Sequence, residues 1–97
     1  MKIIRTEEFI YNVKCVKDGK LLAIITSRLV RVADGNFGDH KSLGDGVSEL
    51  RIHYGAGYRI YYAHRGTTII LLLCSGGKSN QKQDLEKAKE LNKKLKI

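Results

Sequence analysis

Ninety-seven residues, 42% of them hydrophobic and 29% charged, suit one domain with a modest core and exclude a disordered chain. The formal net charge is +8 and the isoelectric point is near 9.7, an excess that attracts nucleic acid, an anionic surface or an acidic protein. The longest apolar run, "IILLLC" at 69–74, is far too short to cross a bilayer, so no membrane partner is expected.

In chain order, "KIIR" at 2–5 reads as a short edge strand. Thr6 is placed to cap a helix over 7–16, with Glu7 and Glu8 favourable in its first turn and Phe9, Val13 and Val16 as its apolar stripe. "KDG" at 17–19 breaks it, and Asp18 can cap the next. From 20 to 34, Leu22, Ile25, Leu29 and Val32 recur at helical spacing, while Lys20, Arg28 and Arg31 are read as lying off the stripe. The short connection predicts a helical hairpin, and neither helix is long enough to stand alone.

Residues 35–46, "GNFGDHKSLGDG", hold four glycines and three Asn or Asp residues and read as a loop containing His40 and Lys41. Three strands follow, at 47–54, 58–65 and 67–74, rich in Ile, Leu, Val, Thr and Tyr. "GAG" and "RG" between them are short enough for an antiparallel meander. A last helix spans about 80 to 95, with Leu85, Ala88, Leu91 and Leu95 on one side and Lys93, Lys94 and Lys96 in its final turn. The order β-α-α-β-β-β-α is an α+β fold in one domain, 1–97.

Counting across a three-residue "GAG" turn pairs Tyr54 with Tyr58, His53 with Arg59, Ile52 with Ile60 and Arg51 with Tyr61. Leu50, Ile52, Tyr54, Tyr58, Ile60 and Tyr62 then line a core face, and Glu49, Arg51, His53, Arg59 and Tyr61 the other. A two-residue Arg65–Gly66 turn adds Ile69, Leu71 and Leu73 to the core side and Thr68, Ile70, Leu72 and Cys74 to the second. The last helix can cover that apolar flank, leaving a groove beside the arginines. Arg51, His53 and Arg59 so close together repel unless an anion joins them; arginine's planar fork suits phosphate, and Tyr61 offers a ring for base stacking. The alternative is that Glu49 and other carboxylates pair with the cations and the Arg stems cover sheet.

"SGGKSN" at 75–80 places Lys78 between a strand and a helix, where glycine-freed amides and a helix N-terminus converge, though without the spacing of a nucleotide-binding P-loop. His53 alone among the histidines sits on the cationic face, where neighbouring arginines favour its neutral form. His64 falls on the core-side parity. Cys15 and Cys74 lie in apolar surroundings, as reduced core thiols of a cytoplasmic protein do, and neither they nor the histidines have metal-type spacing. No cofactor is expected.

"NFGDHKSLGDG", "GVSELRIHYGAGYRIYY" and "LLLCSGGKSNQKQDL" together resemble the phage-derived, HigB-like branch of the RelE/ParE toxin superfamily, addiction-module killer proteins, over about residues 20–95. The resemblance implies the toxin of a type II toxin–antitoxin pair, a ribosome-dependent, metal-independent endoribonuclease that cuts mRNA in the A site. It implies a helix-turn-helix antitoxin as partner, with operator DNA reached through that complex. By position, the family's catalytic basic residues fall on Arg51, His53, Arg59 and Lys78, and Tyr61, Lys41 and Arg65 are expected to hold RNA. A tyrosine that some relatives carry in the last helix is absent, since no tyrosine follows Tyr62. The same fold also serves ParE-like inhibitors of DNA gyrase that do no catalysis, and a regulatory member acting on operator DNA is a third reading.

Overall fold

Strand β1 (Lys2–Arg5) runs into helix α1 (Glu7–Lys14) through Thr6. In the computed structural model, which describes residues 1–96, the Thr6 hydroxyl accepts from the Phe9 amide at 3.1 Å. The same hydroxyl donates toward the Leu72 and Leu73 carbonyls, each 2.8 Å away. One side chain therefore starts the helix and ties it to the sheet. Asp18 caps α2 (Gly19–Ala33) by accepting from the Lys20 and Leu21 amides at 2.9 and 3.3 Å. Both caps, and both helices to within two residues, follow the sequence reading.

Four further strands, β2 (His40–Gly44), β3 (Val47–Ile52), β4 (Tyr58–Arg65) and β5 (Ile69–Gly77), lead through a short 3-10 turn at Lys78–Asn80 into α3 (Gln81–Lys94). The sheet order is β1-β5-β4-β3-β2, with β1 parallel to β5 and the rest antiparallel. This is an α+β architecture with a five-stranded mixed sheet, compatible with a RelE-like fold. It departs from the expected order by one strand. Residues 40–44, read as loop, add β2 to the sheet edge, because β3 supplies the pairing partner that a glycine-dense segment cannot recruit by itself.

The helices cover opposite faces. Phe9, Ile25, Leu29 and Val32 pack on Leu50, Ile52, Tyr58, Ile60, Tyr62, Ile70 and Leu72. On the other side Ala88, flanked by Leu85, Leu91 and Leu95, packs on Val47, Tyr61, Ala63, Leu71, Leu73 and Cys74. Among the described residues no helix is long and apolar enough to cross a membrane.

Two registers differ from the counting argument, with opposite consequences. Ile52 pairs with Tyr58, so the connection is the five residues 53–57 and the ladder is displaced by two. An even displacement preserves side-chain parity, and the division of β3 and β4 into faces stands. At the next turn Arg65 pairs with Ile69, making the connection three residues instead of two. That odd step inverts β5: Ile70 and Leu72 face the α1–α2 side, Leu71 and Leu73 the α3 side. A bulge between Tyr61 and Tyr62 then turns both Leu73 and Cys74 toward α3 and Ser75 toward Tyr58, whose hydroxyl lies 2.7 Å from Ser75 Oγ.

Arg28 is a further correction. It lies on the buried stripe of α2, not off it, and only 7% of it is exposed. Its position three residues after Ile25 and four before Val32 is what a helical stripe requires. Cys15, expected in the core, is exposed; Cys74 is buried, and that burial pushes its thiol up to about 12.

Candidate functional site

At the end of the sheet where β3 gives way to the 53–57 loop, four basic side chains meet. Arg51 and Arg59 are cross-strand partners on one face. His53 follows from the loop, and pairing of Tyr58 with Gly77 brings the end of β5, and with it Lys78, alongside. Arg51, His53, Arg59 and Lys78 line one open cavity of about 270 Å³, floored by residues 55–58. A larger cavity, about 540 Å³, lies elsewhere, between the start of α1 and the end of α3. Its walls are mostly apolar, with Arg5 beside Glu7 and Glu8 and, among the described residues, no converging cations, so the smaller cavity is the candidate site.

The cations are not left to repel one another. Asp39 accepts from Arg51 Nε and Nη2 through Oδ1, at 3.2 and 2.8 Å, and meets His53 Nε2 with Oδ2 at 2.5 Å. The hydrogen bond from His53, followed by that from Arg51, holds the Asp39 carboxyl below the usual carboxylate range. Arg59 Nε stands 3.1 Å from Glu49 Oε1 in a second pair, with only 4% of Glu49 exposed. That contact is a charge pair without hydrogen-bond alignment, and neither buried atom has a directed partner. The expectation that Arg51, His53 and Arg59 stand together awaiting an anion is thus corrected: carboxylate pairing, the alternative, describes three of the four basic side chains. Lys78 is exposed and makes no ion pair among the described residues.

The residues expected to hold RNA separate from this cavity. Tyr61 is 1% exposed, beneath α3, with its hydroxyl 3.5 Å from the Gln81 carbonyl. Burial pushes its hydroxyl up to about 12, and its ring has no free face for a base. Parity had placed it correctly; the helix above it removed it from solvent. Arg65 lies at the opposite end of β4, donating to the Asn92 and Leu95 carbonyls at 3.1 and 3.4 Å, where it caps α3. Lys41 is exposed on the edge strand β2, opposite Glu49 in the ladder, and is not a lining residue of the cavity. His40 meets the Gly38 carbonyl through Nδ1 at 2.9 Å, and His64 lies against Phe37 with ring centroids 5.6 Å apart. Among the described residues no three His, Cys, Asp or Glu side chains converge as metal ligands.

Sequence reasoning missed Asp39 and Arg28. Asp39 sits in a loop with no periodicity, and only folding brings it to Arg51, twelve residues on. Arg28 did carry a signal, a charge on an otherwise apolar helical stripe. Its Nη1 donates to the Arg51 carbonyl at 2.6 Å, and its Nη2 to the Phe37 and Asp39 carbonyls at 3.0 and 2.9 Å. Gly38 completes the fit: its φ is +62°, and a Cβ there would come 3.3 Å from Arg28 Nη2.

Comparison with known proteins places the chain in a family. Residues 8–96 match the family described as "Phage derived protein Gp49-like (DUF891)". The chain belongs to that family. An uncharacterized protein of Haemophilus influenzae (strain ATCC 51907 / DSM 11121 / KW20 / Rd) is 44% identical over 80 residues, 82% of this chain and 81% of that protein. The Gp49-like match takes in both helical caps' downstream segments, the 53–57 loop and Lys78, so the whole candidate site lies within it.

Proposed function

We propose that this Gp49-like chain is the toxin of a type II toxin–antitoxin pair, of the HigB-like branch, and cleaves ribosome-bound mRNA at the Arg51–His53–Arg59–Lys78 cavity. The observation that carries the reading is the convergence of those four side chains, from two strands, a loop and a turn, on one open cavity. A basic cavity of this size suits one phosphodiester, and arginine's fork matches its oxygens.

In the proposed reaction the RNA 2′-oxygen attacks the adjacent phosphorus while the bond from phosphorus to the 5′-oxygen breaks. The products are a 2′,3′-cyclic phosphate and a free 5′-hydroxyl. His53 takes the 2′-hydroxyl proton and returns a proton to the leaving 5′-oxygen. Arg51, Arg59 and Lys78 stabilise the charge that grows on the phosphoryl oxygens, an electrostatic contribution of the kind that usually dominates such catalysis. The ribosome supplies the in-line arrangement of the RNA. A helix-turn-helix antitoxin is the proposed partner, through which the pair reaches operator DNA.

The test is induced expression with mapping of mRNA 5′ ends. Wild type should arrest growth and create new 5′-hydroxyl ends, and Lys78→Ala or Arg51→Ala should cut at least about 100-fold more slowly, roughly 2.7 kcal/mol in the barrier. Growth arrest with intact mRNA and a DNA-damage response would replace this reading with gyrase inhibition.

A further inference from the structure

Arg28 is a buried cation that touches none of the cavity's side chains, and its cost demands a use. Its guanidinium gives up water and is held below its ordinary pKa by burial. Among the described residues no carboxylate lies at hydrogen-bond distance from it; its partners are three backbone carbonyls, of Phe37, Asp39 and Arg51. Those carbonyls belong to the two segments that must meet for the site to exist: the 37–39 loop and the end of β3. The Arg51 amide also donates to the Asp39 carbonyl at 2.9 Å, closing the junction from the other side.

We propose that Arg28 is the positioning residue of this site: by clamping the 37–39 loop to β3 it sets Asp39, and Asp39 in turn fixes the Arg51 fork and the tautomer of His53. Only the cleavage of RNA at this site rests on the proposed function; the clamp itself is geometric. Asp39, ionised and acceptor-only, obliges His53 Nε2 to carry a proton. The lone pair of neutral His53 is therefore on Nδ1, and Nδ1 is the nitrogen that accepts a proton from substrate. Asp39 likewise occupies Nε and Nη2 of Arg51, so the edge of that guanidinium left for an anion is Nη1. Two carbonyl hydrogen bonds and the close passage of a left-handed Gly38 past Arg28 restrain the loop's position, which is what orientation of a general base requires.

The test compares Arg28→Lys, which keeps the charge but cannot span three carbonyls, with Asp39→Asn, which leaves the clamp intact. Imidazole and guanidinium ¹⁵N spectra of the free protein, with His53 assigned by its absence in His53→Gln, read the arrangement without any RNA. Wild type should show neutral His53 as the Nε2-protonated tautomer; both variants should lower its ratio to the Nδ1-protonated form by about tenfold. Arg28→Lys spectra identical to wild type would overturn the proposal. In mRNA cleavage, Arg28→Lys should lower kcat about tenfold with KM unchanged. The double variant should be no slower than Asp39→Asn, because both act through one carboxylate. Multiplying losses would mean two independent structural defects and would also overturn it. A wild-type chain that cuts no RNA defeats the proposed activity alone, and the spectra then decide for or against the clamp.

Discussion

The α3 side of the sheet has a covered half and an open half, and both hold arginines that the sequence presents alike. In the covered half, Arg65 gives its protons to carbonyls at the end of α3, above Tyr61, Ala63, Leu71 and Leu73. In the open half, Arg51 and Arg59 face carboxylates beside a cavity. The side chain is the same and the partner decides the role: neutral carbonyls of a helix end absorb the cation, whereas a carboxylate leaves an anion-exchangeable fork facing solvent. A strand's parity cannot separate the two cases. Where α3 starts and ends does.

Breaking the covered half should have the largest effect. Tyr61→Ala empties a site that is 1% exposed and should destabilise the fold by about 4 kcal/mol in urea unfolding, with Tyr61→Phe nearly neutral. If Tyr61→Phe instead lost RNA binding at full stability, the hydroxyl would reach RNA and belong to the open half after all. At the boundary, Arg59→Met leaves Glu49 as an uncompensated buried charge and should cost about 3 kcal/mol; adding Glu49→Gln should restore much of it. No restoration would mean the Arg59 stem, not its charge, holds the pair's place.

A pH titration tests the same boundary. The Cys74 thiol is raised from 9.0 to about 12 by burial, so the folded state holds its proton more tightly than the unfolded chain. That stability is present in full below pH 9 and is lost as pH rises toward 12. Chemical denaturation across this window should show a decline that Cys74→Ala reduces; an unchanged decline would assign it to the buried tyrosines. Smallest, Arg65→Ala should cost about 1 kcal/mol in thermal unfolding while mRNA cleavage stays within about twofold of wild type. A larger loss of cleavage would return Arg65 to the RNA-binding set.

Periodicity and turn chemistry by themselves determined both helical caps, the helix spans, the two faces of β3 and β4, and the gathering of Arg51, His53 and Arg59; Lys78 joined them only through the family resemblance. These are local: they follow from spacing along one segment, and an error of two residues at the 53–57 loop left them standing because side-chain alternation has period two. Only the tertiary structure decided the face of β5, where one additional turn residue inverted Ile70 to Leu73, and the existence of β2, which forms because β3 is there to pair with it. It also decided that Tyr61 is roofed over and that Arg65 closes a helix. Above all it brought Asp39 to Arg51 and His53, through an arginine on a distant helix bonded to three carbonyls. Carbonyls carry no side-chain signature, so no reading of residue types along the chain finds that clamp.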